Sequence, residues 1–316
     1  MFRRLSRYLK SLLGELHVSL RKVHLTRHDS CFITCAGRTD GGGAQVHGIW
    51  STMLFAREMG LTYVHTPLVS VDHKPAGTTN WEAKWEQFFN LGAGEMTRDE
   101  LATPLNVISL EPTQVWKIRR RPNTLYTIPH CHGFADAVPA RYKTIQEANQ
   151  KKYDETPKPC PLRADLSRIT VAVHVRRGDV KKGNVRFTSD TFILNAVRQI
   201  HDTAKLLGAI ADVHLYSEGV DTEFESLAQA GITLHLKEPA FEAFHQLRSA
   251  HVLVMAKSSF SYVAALYSNG IKIYEKFWHN PMRDWVQLNT EGMANARELQ
   301  AALTSLCKEA DAGAAQ

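Results

Sequence analysis

From residue 168 onward the chain repeats one pattern, and few folds satisfy it. The runs "RITVAVHV", "ADVHLYS", "ITLHL", "HVLVMA" and "IKIYEK" are short and almost wholly apolar, and read as strands. Between them, "DTFILNAVRQIHDTAKLLG", "DTEFESLAQAG", "PAFEAFHQLRSA" and "SSFSYVAALYSNG" carry apolar residues at helical spacing. Strands without polar alternation must be covered on both faces. Crossover helices between parallel strands supply that cover. The expected class is therefore α/β, with a parallel sheet in this half. Ligands of such sheets bind just beyond the strand carboxyl ends.

The first half is less regular. "CFITCAG", "LTYVHTPL", "LNVISL", "TQVWKI" and "TLYTIP" read as short strands. "GIWSTMLFAREMG", "TNWEAKWEQFFNLG" and "ARYKTIQEANQKKYDE" read as helices. The prolines of "TPKPCP" read as a linker and place a boundary near residues 155–162. The expected organisation is a leader over 1–28, an N-terminal α/β domain over 29–158, a C-terminal domain over 159–305 and a tail over 306–316. Trp81, Trp85, Phe88 and Phe89 fall at helical spacing. They read either as core or as a stacking surface for sugar rings.

Charge is distributed unevenly. The net charge of +6 over 316 residues is matched by residues 1–28, where Arg3, Arg4, Arg7, Lys10, Arg21, Lys22 and Arg27 face Glu15 alone. The remaining chain is neutral overall, which excludes a general nucleic-acid binder, whose charge spreads over a working face. In the leader, Phe2, Leu5, Leu9, Leu12, Leu16, Leu20 and Val23 form one apolar helical stripe. It reads either as an interfacial helix on anionic lipid or as a helix packed on the protein itself. The start lacks the apolar core and cleavage site of a secretory signal. No apolar run reaches the ~18 residues that a membrane span needs. Cys31, Cys35, Cys131, Cys160 and Cys307 are odd in number and irregular in spacing, so they suit reduced thiols in a cytoplasmic protein. No second cysteine pair or nearby histidine completes a zinc site with Cys31 and Cys35.

The chemistry concentrates at three strand ends. "ITVAVHVRRGDV" runs an apolar strand into His174, Arg176, Arg177, Gly178 and Asp179. Side-chain alternation points His174 and Arg176 the same way. Adjacent guanidiniums repel, so an anion is expected there, and the arginine fork suits phosphate. The bland alternative is a surface loop in which Arg177 pairs with Asp179. In "AKSSFS", Ser258 or Ser259 would cap the next helix. A phosphate at that helix N-terminus is the functional reading. Glu218, after "VHLYS", suits a base or ribose contact, or a helix N-terminal charge.

These segments together resemble the GDP-fucose-dependent fucosyltransferases that share an "HxRRGD" motif, a superfamily of α1,2-, α1,6- and protein O-fucosyltransferases. The α1,2 branch, glycosyltransferase family 11-like, orders its motifs "HxRRGD", "YSDD"-like, "SSFSWWAAW" and then a short strand. Here the order is "HVRRGD", "LYSEG", "SSFSYVAAL" and "IKIYEKFWHNP". The resemblance covers about residues 165–285. "GGGAQVHGIWSTMLFAREMG" echoes the family's "GGLGNQMFQYAFARALA", aligning Gly42, Gly43 and Gln45. This chain departs at "SEG" for "SDD", at "SFSYV" for "SFSWW", and in lacking the asparagine before the glutamine.

The resemblance implies a GT-B architecture of two Rossmann-like domains facing a cleft, with GDP-β-L-fucose held by the C-terminal one. It implies Arg176 as the main β-phosphate contact with Arg177 in support. His174 and Glu218 would face guanine or ribose, and Ser258, Ser259 and Phe260 the phosphates. Gly178 and Asp179 complete the donor turn. The reaction would invert the anomeric centre without metal or other cofactor. The acceptor would be an oligosaccharide, such as a bacterial surface polysaccharide or lipid-linked glycan, met at the inner face of the cytoplasmic membrane. Gly43, Gln45, His65, Asp72 and His73 are the acceptor-side or general-base candidates, with Asp40 beside them. The alternatives are a transferase of another GDP-sugar and a non-catalytic nucleotide-sugar or glycan-binding protein.

Overall fold

The computed structural model describes residues 30–101, 105–159 and 168–314. The basic leader, Cys160 and the end of the proline-rich linker lie outside the described residues. The chain divides into two compact units, Met1–Pro157 and Lys158–Gln316.

The first unit contains β1 (Cys31–Cys35), α1 (Gly42–Met59), β2 (Thr62–His65), α2 (Trp81–Phe89), β3 (Met96–Thr97), β4 (Asn106–Ser109), β5 (Thr124–Ile128), α3 (His132–Ala135) and α4 (Lys143–Asp154). Its sheet runs β3-β2-β1-β5-β4, and every pairing is parallel. Helix α1 is buried on nearly every face, with Trp50, Leu54 and Phe55 fully buried and Gln45, His47, Ser51, Thr52 and Glu58 buried among them, as a central helix between layers is. One reading needs correction here, and one open alternative closes. "TQVWKI" is not a strand but part of a 3-10 helix, Pro112–Lys117. Trp81, Trp85, Phe88 and Phe89 are all buried, with Phe88 and Phe89 packed against Tyr153. They form core, not a sugar platform.

The second unit contains β6 (Arg168–His174), α5 (Asp190–Leu206), β7 (Ile210–Ser217), α6 (Glu225–Gln229), β8 (Thr233–Leu236), α7 (Ala240–Ser249), β9 (Val252–Val254), α8 (Ser259–Tyr267), β10 (Ile271–Tyr274), β11 (Val286–Gln287) and α9 (Ala296–Ala314). Its sheet runs β11-β10-β9-β6-β7-β8, again wholly parallel. Val171, Val173 and Val175 of the β6 segment share a core with Ile193, Val197 and Ile200 of α5 and with Leu299 and Leu303 of α9. Each such side chain contributes roughly 1.5–3 kcal/mol by burial. On α7 and α8, Phe244 meets Phe260 and Tyr267 edge-on. Helix α9 runs straight through residue 306 to Ala314, so the described part of the segment set apart as a tail is helical and continuous with what precedes it.

Both units are thus α/β units built on a wholly parallel sheet. Each has one place where the strand order reverses. It lies between β1 and β5 in the first unit and between β6 and β9 in the second. Ligand crevices of open α/β sheets form there, outside the carboxyl ends.

Candidate functional site

The β6–β9 reversal brings together the two segments that carry the most polar chemistry. Arg176 to Gly178 leave β6, and Lys257 to Phe260 leave β9 directly beside it. Glu218 leaves β7 on the other side of β6.

The arginine doublet splits. Arg177 is 4% exposed. Its Nη2 donates to Asp190 Oδ1 at 2.8 Å and to Thr188 O at 3.0 Å. Its guanidinium lies 4.2 Å from the Phe187 ring centroid. Asp190 also accepts from the Ser226 hydroxyl at 2.8 Å, so both its oxygens are engaged. Arg176 is partly exposed and pairs with Asp179, three residues on. The pairing differs from the surface-loop alternative: each guanidinium has its own carboxylate, and it is Arg176, not Arg177, that meets Asp179. Arg177 faces inward and supports the turn, while Arg176 is the less buried of the two.

Gly178 makes the turn possible. Its φ is +62°, and a Cβ there would lie 2.9 Å from Glu218 Oε2. The close approach sets Glu218 against the turn. His174 sits at the strand end with its ring 5.5 Å from Phe260. Its Nδ1 is buried without a hydrogen-bond partner among the described residues. Burial, helped by the nearby Arg176 charge, holds the imidazole down at about 3, so it is neutral at physiological pH. A neutral ring with one unsatisfied nitrogen can give or take one hydrogen bond from a polar ligand.

Ser258 is buried and caps α8, its Oγ accepting from Phe260 N at 3.2 Å. Ser261 Oγ returns to the carbonyls of Ala256 and Ser258. Ser259 and Phe260 stay partly exposed at the first turn, where helix N–H groups favour an anion. Two charged residues were missed in the sequence. Lys257 follows β9, Glu275 follows β10, and they pair at 2.9 Å. The signal was the one that marked Arg176: a charge placed directly after an apolar strand.

The first-unit candidates are mostly committed to structure. Gln45 Nε2 donates to Asp40 O and Ser70 O, both at 2.7 Å, and ties two loops together. Gly43 is buried in the first turn of α1. His65 has both ring nitrogens engaged, one with Glu86 at 2.9 Å and one with Tyr63 at 3.4 Å. Asp40 pairs with Arg38. Asp72 and His73 are exposed, and Asp72 bridges the Gly41 turn. Cys35 donates to Pro129 O, and burial pushes its thiol up to about 12. Cys31, Cys35 and Cys131 are buried, and Cys307 is partly buried. Among the described residues no helix is long and apolar enough to cross a membrane.

No family model matches the chain, and no curated protein matches it. Among solved structures it is similar to POFUT1 in complex with GDP, at 14% identity over 77% of this chain and 96% of that one, with a TM-score of 0.37. It is similar to fucosyltransferase NodZ from Bradyrhizobium at 13% identity, over 76% of this chain and 94% of that one, with a TM-score of 0.41. A mutant of Arabidopsis thaliana FUT1 in complex with GDP matches at 13% identity, over 84% of this chain and 74% of that one, with a TM-score of 0.41.

Proposed function

We propose that the protein is an inverting fucosyltransferase. It would move L-fucose from GDP-β-L-fucose to a hydroxyl of an oligosaccharide, such as a bacterial surface polysaccharide or lipid-linked glycan. One observation supports this above the rest. "HVRRGD" and "SSFS", whose order and sequence resemble that family, leave adjacent strands at the sheet's reversal point, and Arg176 is the guanidinium of the doublet left partly exposed.

The chemistry follows from charge. As the bond from the sugar to the diphosphate breaks, negative charge gathers on the leaving oxygen. Arg176 and the first-turn N–H groups of α8 are fixed donors that stabilise that charge more in the transition state than in the ground state. They need no metal to do so. Glu218, held against Gly178, and the open nitrogen of His174 are suited to the nucleoside end. Among the base candidates, Asp72, His73 and the side chain of Asp40 are the exposed ones.

Thermal unfolding in EDTA, with GDP, GDP-fucose, UDP and ADP at equal concentration, tests the reading. Ligand at ~100 times its dissociation constant stabilises a fold by about 2.7 kcal/mol. A shift with both guanine ligands and none with UDP or ADP is expected. An equal response to UDP would end the assignment. Turnover with a glycan panel separates an enzyme from a binding protein on the same fold.

A further inference from the structure

A buried ion pair at the carboxyl edge of the second sheet has no part in the reaction outlined above. Lys257 Nζ lies 2.9 Å from Glu275 Oε1 and donates to Val185 O at 3.3 Å and Phe187 O at 3.1 Å. An ammonium has three donors, and all are taken, so Lys257 has none to offer a ligand. Glu275 Oε2 accepts the Thr188 hydroxyl. The Thr188 carbonyl accepts from Arg177. One continuous chain of polar contacts therefore runs from β10 through residues 185–188 to the arginine turn. The strap between Gly178 and Ser189 has backbone bonds of its own, but those of Val180, Asn184 and Phe187 are local turns. Its ties to the sheet edge include Lys257, Glu275 and the Phe187 ring beneath Arg177, beside Arg186 over the Trp278 ring, Lys181 on Glu223 and the buried Val180.

This pair is costly to bury. The side chains of Lys257 and Glu275 are 17% and 10% exposed. Desolvation raises the Glu275 carboxyl even though Lys257 pulls it down. Buried pairs of this kind add little net stability over apolar residues of similar volume. Geometry is the benefit left to account for.

We propose that Lys257 and Glu275 are positioning residues for the anion site. They clamp the strap onto the sheet edge, the strap fixes Arg177, and Arg177 fixes the turn that presents Arg176. The ligand half of the proposal rests on the donor-site reading; the clamp does not.

The test is the double variant Lys257→Met/Glu275→Leu in the full chain. Thermal unfolding, amide exchange across residues 177–190, and affinity for GDP and for inorganic pyrophosphate are measured. Near-wild-type Tm, faster exchange at Val180 and Phe187, and affinities weakened about tenfold, the scale of one charge-assisted hydrogen bond, are expected. Thr188→Val, which cuts the relay and leaves the ion pair, should show the same loss in smaller measure, and it carries the test if the double variant does not fold. Wild-type exchange and wild-type affinities in a folded variant would overturn the proposal and leave packing alone. If the wild type binds pyrophosphate but not GDP, the clamp is still judged by both readouts and the guanine reading falls. If it binds neither, unchanged exchange in the variants overturns the clamp and accelerated exchange upholds it.

Discussion

Replacing Arg177 by alanine would remove a guanidinium that is buried against Phe187 and would leave Asp190 without its cation. Breaking a buried pair costs 3–5 kcal/mol, and the one-third exposure of Asp190 lowers the figure to about 2–3 kcal/mol. Arg176→Ala removes a partly exposed pair and should cost the fold under about 1 kcal/mol. Its turnover should fall by on the order of 10²–10³, as when one oxyanion donor is lost. Urea unfolding beside initial rates separates the two variants; equal stability losses would contradict the inward placement of Arg177. His174 supplies a pH test. Its value is lowered to about 3 in the fold, from 6.5, first by burial and then by Arg176. The unfolded chain takes that proton first. Stability is therefore intact above about 6.5 and declines as pH falls toward 3, by at most ~1.4 kcal/mol per pH unit. His174→Phe should flatten this part of the acid limb in urea midpoints between pH 5 and 7. An unchanged slope would place the titration elsewhere. The sequence marked these residues because charge followed an apolar run. It could not show which arginine turns inward, since that depends on Asp190, thirteen positions on and brought back by the strap.

At the scale of elements, legibility followed period and length. The strands of the second half were plain because both faces of the sheet are buried. "TQVWKI" misled because it is short. Its buried residues Val115 and Ile118 are three apart, Pro112 opens the turn, and Glu111 N bonds Gln114, all of which suit a 3-10 helix. The two-residue strands β3 and β11 are too short to show a period. Helix α9 was legible and overlooked: Leu299, Leu303 and Leu306 are spaced by four and three, and all three join the core. The aromatic run of α2 was ambiguous until its neighbour was known. A Cβ on Gly42 would overlap the Trp85 indole, so the glycine that opens α1 is there to admit the ring. Gly42→Ala should cost about 1–3 kcal/mol as overpacking, and Trp85→Leu should recover part of that loss in the double variant. Purely additive costs would mean that glycine and ring do not share the space.

At the scale of the molecule, two parallel sheets offer two reversal points, and the proposed donor site uses the second. In the first unit the carboxyl edge holds Arg38 paired with Asp40, as Arg176 is paired with Asp179 in the second. The cavity lined by Cys35, Arg38, Gln45, Thr66 and Leu68 is about 50 Å³. That is room for a few waters and far below the ~300 Å³ at which small-molecule sites begin. The second unit instead presents Arg176, a capped helix N-terminus and an unsatisfied imidazole nitrogen at one edge. Ligand binding raises the free energy of every opening that breaks the site. GDP should therefore slow amide exchange in residues 175–180, 217–219 and 256–262. Residues 36–41 and 66–70, at the corresponding edge of the first sheet, should exchange at their unliganded rates. Protection of those first-unit segments without the second would put the nucleotide on the wrong sheet for Arg176 and would withdraw its role. Protection spread evenly over both would mean that GDP stabilises the whole chain without touching either edge. The pattern across residues thus reports where charge is being neutralised, which a single melting temperature cannot.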